Sequence, residues 1–508
     1  MKTTSPVNEK PGLIYRMLNW VESAGNKMPD PISIFGILCL LVILCSALVS
    51  FFGVTAIHPK DGSIVEPVNL LTKEHLQTFL GSLPANFQNF PPLALVLMVM
   101  FGVGIADKTG LLEAALKGSL SNLPKGLVSW VIIFVGILAN VAGDAGFIVL
   151  PALAAIVFIS VGRHPFIGIF AAFGGVAAGF AANLILGLSD VLAASFTIPA
   201  AQMIDPSYKS SPAMNYYFII VSTVFLSVVG TIVTEKIIAP RFENEPFENP
   251  GAGAGAETSD AQKKGLRWAG FSFLALLVLL VILCLGPAPF MADPATGSIV
   301  DPNAPLMKGV IPILTVIFLI PGIIYGAFTG SIKNDKDVVK MMSKALSEMG
   351  GYIVLAFAAS QFLALFNYTR LGTLLAIKGA DALKGIGLTG MGLIIAFILF
   401  SSILNLFIGS ASAKWAIMAP IFVPMFMLLG FEPPLTQMAY RIGDSVSNPI
   451  SPLFPYFPIL LGYLNLYKKN SGIGTVIANM LPYSICFFFT WTILLLIYVA
   501  LGLPLGPN

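Results

Sequence analysis

Charge is what this sequence has least of. Only 10% of its 508 residues are Asp, Glu, Lys or Arg, where soluble domains carry about 25%. That excludes an ordinary water-dispersed globule of this length. Histidine (three) and cysteine (four) are scarce as well. His58, His75 and His164 stand far apart, and Cys39, Cys45, Cys284 and Cys486 all lie in or beside apolar runs. No pair has metal-ligand spacing, so neither a zinc or haem site nor a disulfide framework is expected. The cysteines read as small buried hydrophobes. There is no HExxH, and no nucleophile–base pair stands out. The Gly-rich tracts lack both a P-loop lysine and the strand context of a dinucleotide fold. An enzyme is therefore not expected, and neither is a nucleic-acid or nucleotide partner. The first apolar run is too long for a signal-peptide core and has no small-residue cleavage site.

Apolar residues fill the space left by charge, at 56% of the chain. They come in blocks of roughly 20, the length that spans a bilayer core: 32–52, 91–106, 271–286, 310–326 and 484–501. The chain reads as an all-α polytopic membrane protein whose first partner is the lipid bilayer. Lys and Arg gather before the first block (Lys2, Lys10, Arg16, Lys27), around mid-chain (Lys236, Arg241, Lys263, Lys264, Arg267) and at Lys333, Lys336, Lys340 and Lys344. The positive-inside rule puts the N-terminus, 238–265 and 331–345 in the cytoplasm.

The one linker-like stretch, ENEPFENPGAGAGAETSDAQKK (243–264), divides the chain into a first half, 1–240, and a second, 266–508, with 241–265 as a cytoplasmic linker. The halves echo each other. Each has a Leu-Leu pair, two Lys-Gly steps (117–118 and 125–126; 378–379 and 384–385) and an apolar run ending in Asn140 or Asn405. Small residues and a Pro-containing apolar run follow. Loop charges place the two motifs on opposite faces, as in the inverted repeats of secondary transporters. The stretches after the two Asn are too broken for one spanning helix and too apolar for a loop. Re-entrant hairpins are therefore expected near 143–160 and 409–428.

Chemistry-bearing residues cluster at those places. Asn140 and Asp144 offer oxygen to a cation such as Na⁺; equally, Asp144 caps a half-helix. Asp190 ends a Gly-rich apolar tract, where an acid needs a cavity or partner. Asn405 and Gly409 offer ion oxygens, while Ser410 and Ser412 stand at a half-helix start that suits a carboxylate. Lys414 reads as a snorkelling side chain. Trp415 either stacks on a substrate ring or fills core. Arg441 and Asp444 share a helix face, as a structural ion pair or as a carboxylate fork beside a cation or proton carrier. Asn448-Pro449 and Pro452 then break the helix.

VGRHP (161–165), NLILGLSD (183–190), TEKIIAPR (234–241), NLFIGSASAKWAIMAPIFVPMFMLLGF (405–431) and YRIGDSVSNPISP (440–452) occur in that order. With them the chain resembles the AbgT family, the p-aminobenzoyl-glutamate transporters. The resemblance implies about nine spans plus two re-entrant hairpins in a homodimer. It implies transport driven by Na⁺ or H⁺ of a small anionic solute, p-aminobenzoyl-glutamate or a relative, with sulfonamide export in some members. It carries substrate positions onto Asp190, Ser412, Trp415, Pro433, Arg441, Asp444 and Pro452, and ion positions onto Asn405, Gly409 and Asp444. It implies an uncharged residue where this chain has Lys414. A bacterial inner-membrane location is expected, with no cofactor besides the coupling ion. A dicarboxylate or citrate carrier of related hairpin architecture is the alternative within transport, and a passive channel or an intramembrane enzyme the alternatives outside it.

Overall fold

The computed structural model describes residues 29–57, 62–120, 124–142, 144–243, 245–247, 259–286, 289–301, 303–469 and 471–507. It is 75% helical. The one strand pairing among the described residues is a two-residue hairpin, Ala56–Ile57 with Ile64–Val65. Seven helices are long and apolar enough to cross a membrane, or eight if the bent pair 371–405 counts as one span. The other apolar helices have only 10–17 residues, short of the roughly 20 a span requires. The all-α polytopic expectation holds, and the short helices mark where spans are broken.

Three helices precede the first repeat: α1 (Pro31–Phe51), α2 (Lys73–Gln88) and α3 (Pro91–Lys108). The repeat itself runs α4 (Leu111–Ser119), α5 (Val128–Leu138), α6 (Asp144–Ser160), α7 (Pro165–Phe173) and α8 (Leu188–Gln202). Between the repeats lie α9 (Tyr216–Val233), α10 (Asp260–Cys284), α11 (Val310–Thr329), α12 (Asp335–Ser347) and α13 (Gly350–Tyr368). The second repeat runs α14 (Leu371–Gly385), α15 (Gly390–Asn405), α16 (Ala411–Met427), α17 (Pro433–Ser447) and α18 (Phe457–Tyr467), followed by α19 (Ile473–Leu501). Packing follows the same order twice. α4 packs on α6 as α14 does on α16, and α5 packs on α7 as α15 does on α17. Each repeat also begins on a left-handed residue, Gly110 (φ +83°) and Arg370 (φ +57°).

The stretches 143–160 and 409–428, expected as half-helices joined by a turn, form single helices over most of their described residues, α6 and α16. Pro151, Pro420 and Pro424 lie inside them without ending them, as membrane helices tolerate when neighbours satisfy the freed backbone. The turn falls one step earlier, at Ala139–Ala142 between α5 and α6 and at 406–410 between α15 and α16. Ser410 fixes the second: it caps α16 by accepting from the Ala413 N–H at 3.3 Å. A second break follows in each repeat. α7 runs into a π turn (Gly174–Ala178) and unwinds over 179–187, and α17 runs into a 3₁₀ turn (Asn448–Ile450) and unwinds over 451–456.

The larger apolar core wraps both repeats, while a smaller one joins α3, α10 and α11. Small residues set that second seam. A Cβ on Gly102 would strike the Thr315 carbonyl, and one on Gly322 would lie 3.0 Å from the Ala106 nitrogen. α1 and α10 bury only 17% and 6% of their apolar windows inside the protein, so most of that surface is left for lipid. The expected linker, 241–265, is described only at its edges. Its last residues are the first turns of α10, started by a capping box between Ser259 and Gln262.

Candidate functional site

Every residue of α17 is buried, although the helix carries Thr436, Gln437, Arg441, Asp444, Ser445 and Ser447. A polar helix in such surroundings holds only if each charge finds a partner. Arg441 and Asp444 do not pair with each other as their spacing allowed; each reaches across to a different element. Arg441 Nη1 lies 2.7 Å from Asp190 Oδ1 at the start of α8. Lys414 Nζ, from α16, lies 2.6 Å from Asp444 Oδ1. All four side chains are 7% exposed or less. Asp190 does a second job, accepting from the Gly187 N–H through Oδ2 at 2.7 Å and so capping α8. The partner that an acid in an apolar tract requires is therefore Arg441, and Asp190 is buried rather than near water.

Lys414 does not snorkel. Its ammonium is 1% exposed and also donates to Asn405 Oδ1. The amide nitrogen of Asn405 points at the Asp444 carbonyl (2.8 Å), Ser447 Oγ (2.9 Å) and Asn448 Oδ1 (2.8 Å). The end of α15 is thereby tied to the broken end of α17. Gly409 faces the same break: a Cβ there would come within 2.5 Å of the Leu453 carbonyl, so only glycine fits. Two of the three residues expected to hold Na⁺ in this half, Asn405 and Asp444, thus hold a lysine ammonium.

A cavity of about 220 Å³ opens beside these pairs. Ser412, Trp415, Arg441 and Asp444 line it, together with Phe180, Phe196 and Tyr440. Four of the seven expected substrate residues therefore meet at one space, and Asp190 stands behind Arg441. Pro433, buried at the start of α17, and Pro452, in the break after it, do not line the cavity. Trp415 is clamped. Its ring stacks on Tyr440 at 4.5 Å, and its Nε1 donates to the Ala193 carbonyl and to Thr197 Oγ1. Gln437 also donates to Thr197, at 2.8 Å. Tyr440 is absent from the sequence expectation, although its place four residues before Asp444, on the same helix face, is a signal that could have found it. Thr197 and Gln437 had no signal in the sequence, because only the fold brings α8, α16 and α17 together.

The first half offers less. Asn140 donates to the Ile137 carbonyl at 3.0 Å, and its Oδ1 is buried with no hydrogen-bond partner. The side chain of Asp144 lies outside the described residues, as does His58. No group of three or more His, Cys, Asp or Glu with metal-holding geometry occurs among the described residues. The VGRHP and TEKIIAPR stretches are structural: Arg163 forms a bidentate pair with Glu235 at 2.7 and 2.9 Å. His164 caps α7 through Nδ1 (3.1 Å from the Phe166 N–H), and burial pushes its imidazole down to about 4.

The model of the AbgT transporter family matches residues 16–508. The chain is 36% identical over 503 residues to the p-aminobenzoyl-glutamate transport protein of Escherichia coli (strain K12), covering 99% of this chain and 98% of that one. Among solved structures it is similar to the Alcanivorax borkumensis YdaH transporter, with a TM-score of 0.90 and 38% identity over 94% of this chain and 100% of that one. Neisseria gonorrhoeae MtrF, described as illuminating a class of antimetabolite efflux pumps, gives a TM-score of 0.90 at 39% identity over 97% of this chain and 100% of that one.

Proposed function

The chain belongs to the AbgT transporter family, and from that premise we propose that it is a cation-coupled secondary carrier of p-aminobenzoyl-glutamate or a similar anionic aromatic solute. The observation that carries this reading is the cavity between α8, α16 and α17. It presents a hydroxyl (Ser412), an arginine (Arg441) and a clamped aromatic pair (Trp415, Tyr440) to one space. Those groups complement a carboxylate and a ring. The cavity lies beside two helix breaks, where a carrier rearranges. Na⁺ or H⁺ is the coupling ion in this proposal, and the working unit is a homodimer in the inner membrane with its N-terminus in the cytoplasm. A dicarboxylate or citrate carrier is the competing reading, and the aromatic wall speaks against it. Outward movement of sulfonamides is an extension of the proposal, supported by the likeness to MtrF.

The test is uptake of labelled p-aminobenzoyl-glutamate into proteoliposomes under imposed Na⁺ or H⁺ gradients, for wild type, Ser412→Ala and Asp444→Asn. Gradient-driven accumulation is expected in the wild type, competed by unlabelled p-aminobenzoyl-glutamate and sulfonamides but not by citrate. Both substitutions are expected to lower it by about tenfold or more, Ser412→Ala through the loss of one polar contact and Asp444→Asn through the loss of the partner that holds the Lys414 ammonium. No accumulation by well-folded protein under either gradient removes this substrate from the claim.

A further inference from the structure

We propose that the Lys414 ammonium is a tethered cation that takes the place of a metal ion in the second repeat, so that the Asn405–Asp444 position of this chain binds no Na⁺. The inference deepens the carrier reading and rests on it. A cation position in this repeat has to use the oxygens at the meeting of the 406–410 turn and the break after α17. Two of those oxygens, Asp444 Oδ1 and Asn405 Oδ1, are taken by one Nζ. The two amide hydrogens of Asn405 are shared among three acceptors at 2.8 to 2.9 Å, so its oxygen cannot swing away without breaking those bonds. Gly409, the third expected ligand, has no side chain to offer, and none fits, since a Cβ would lie 2.5 Å from the Leu453 carbonyl.

A sodium ion does not fit this arrangement. A second positive charge beside the ammonium is repelled, and the ammonium cannot step aside. Lys414 is 1% exposed, so leaving Asp444 would put an unpaired charge in apolar surroundings. The charge bookkeeping gives the same result. Asp444 and Arg441 line the cavity, and their partners Lys414 and Asp190 stand outside its lining. The four groups sum to zero with no ion bound, so an anionic solute meets a neutral wall. The covalent chain supplies the charge that balances Asp444, and that charge cannot diffuse away.

The experiment counts Na⁺, not transport, so it stands apart from failure of the substrate claim. Binding of ²²Na⁺ to the purified full-length protein, with choline as the replacement cation, is measured for wild type, Asp444→Asn, Lys414→Met and Lys414→Met/Asp444→Asn. Any Na⁺ held elsewhere counts equally in all four. Lys414→Met is expected to bind one more Na⁺ per protomer than the wild type, and the double variant to lose it again. Asp444→Asn alone is expected to match the wild type. The proposal is overturned if Lys414→Met gains no site, or if Asp444→Asn alone loses one. Should Lys414→Met not fold, Lys414→Gln replaces it, and the Asp444→Asn arm decides the question on its own.

Discussion

Asn140 and Asn405 hold the same position in the two repeats, each at the turn before an apolar helix, yet their surroundings differ in kind. Asn405 is 1% exposed and engaged at both ends of its amide, by Lys414 on the oxygen and by Asp444, Ser447 and Asn448 on the nitrogen. Asn140 makes one local bond to Ile137, and its oxygen is left without a partner. One basic residue makes much of the difference. Lys414 stands nine positions after Asn405, whereas no Lys or Arg occurs between Asn140 and Arg163. A shared residue at a shared topological position does not fix its chemistry; the nearest buried charge does.

The sharpest way to break that comparison is to remove the charge that the second repeat depends on. Asp444→Leu leaves the Lys414 ammonium buried with only an amide oxygen. It is expected to cost about 3 to 5 kcal/mol, the range for breaking a buried pair from one side. Lys414→Met/Asp444→Leu removes both charges and is expected to recover most of that loss, since well-packed apolar replacements of a buried pair are often neutral or better. Unfolding midpoints in one detergent, taken alongside denaturant slopes, read both. If the double variant is as unstable as the single one, the ion pair is not what sustains this repeat.

A smaller effect compares the two asparagines directly. Asn405→Ala removes two N–H donors from the cluster of the Asp444 carbonyl, Ser447 Oγ and Asn448 Oδ1, and the amide oxygen from the Lys414 ammonium. At about 1 to 3 kcal/mol for a buried group left unsatisfied, partly relieved by water, a total of about 2 to 4 kcal/mol is expected. Asn140→Ala frees only the Ile137 carbonyl and should cost less than about 1 kcal/mol. Equal costs would mean that the unmatched oxygen of Asn140 is held by something as strong as Lys414.

These contrasts also show how far the sequence could be read. Apolar blocks and paired interruptions were legible because membrane depth leaves few ways to satisfy a backbone, and Gly, Pro and Asn mark where those ways change. The position of the turn was misplaced by a few residues. Pro151, Pro420 and Pro424 look like breakers, yet neighbouring elements hold their helices intact. Residue types at the site were legible, since charges are too costly in apolar runs to be incidental. Their partners were not. The i,i+3 spacing of Arg441 and Asp444 allowed one pair, and the fold made two, with Asp190 and Lys414. That exchange depends on α8, α16 and α17 meeting, which no local pattern encodes. Lys414 failed as a reading for the same reason: a long cationic side chain snorkels unless a buried carboxylate is within reach.

The weakest contrast between the repeats is in their backbones, and it tests whether the two are built alike. Gly110 and Arg370 precede α4 and α14 in the same left-handed conformation, and Arg370 is the one non-glycine residue with positive φ among the described residues. An L-residue pays about 1 to 2 kcal/mol for that conformation. Glycine instead loses about 0.4 to 1 kcal/mol through the freedom of its unfolded chain. Arg370→Gly is therefore expected to stabilise by up to about 1 kcal/mol, and Gly110→Ala to destabilise by a similar amount. Sterics do not confuse the second case, because a Cβ on Gly110 would approach nothing nearer than Tyr325 Cε1 at 4.0 Å. Opposite shifts of the unfolding midpoint would show one backbone device used twice, once with the residue that suits it. A loss on Arg370→Gly would mean that the exposed arginine side chain holds the start of α14 more firmly than its backbone strain weakens it.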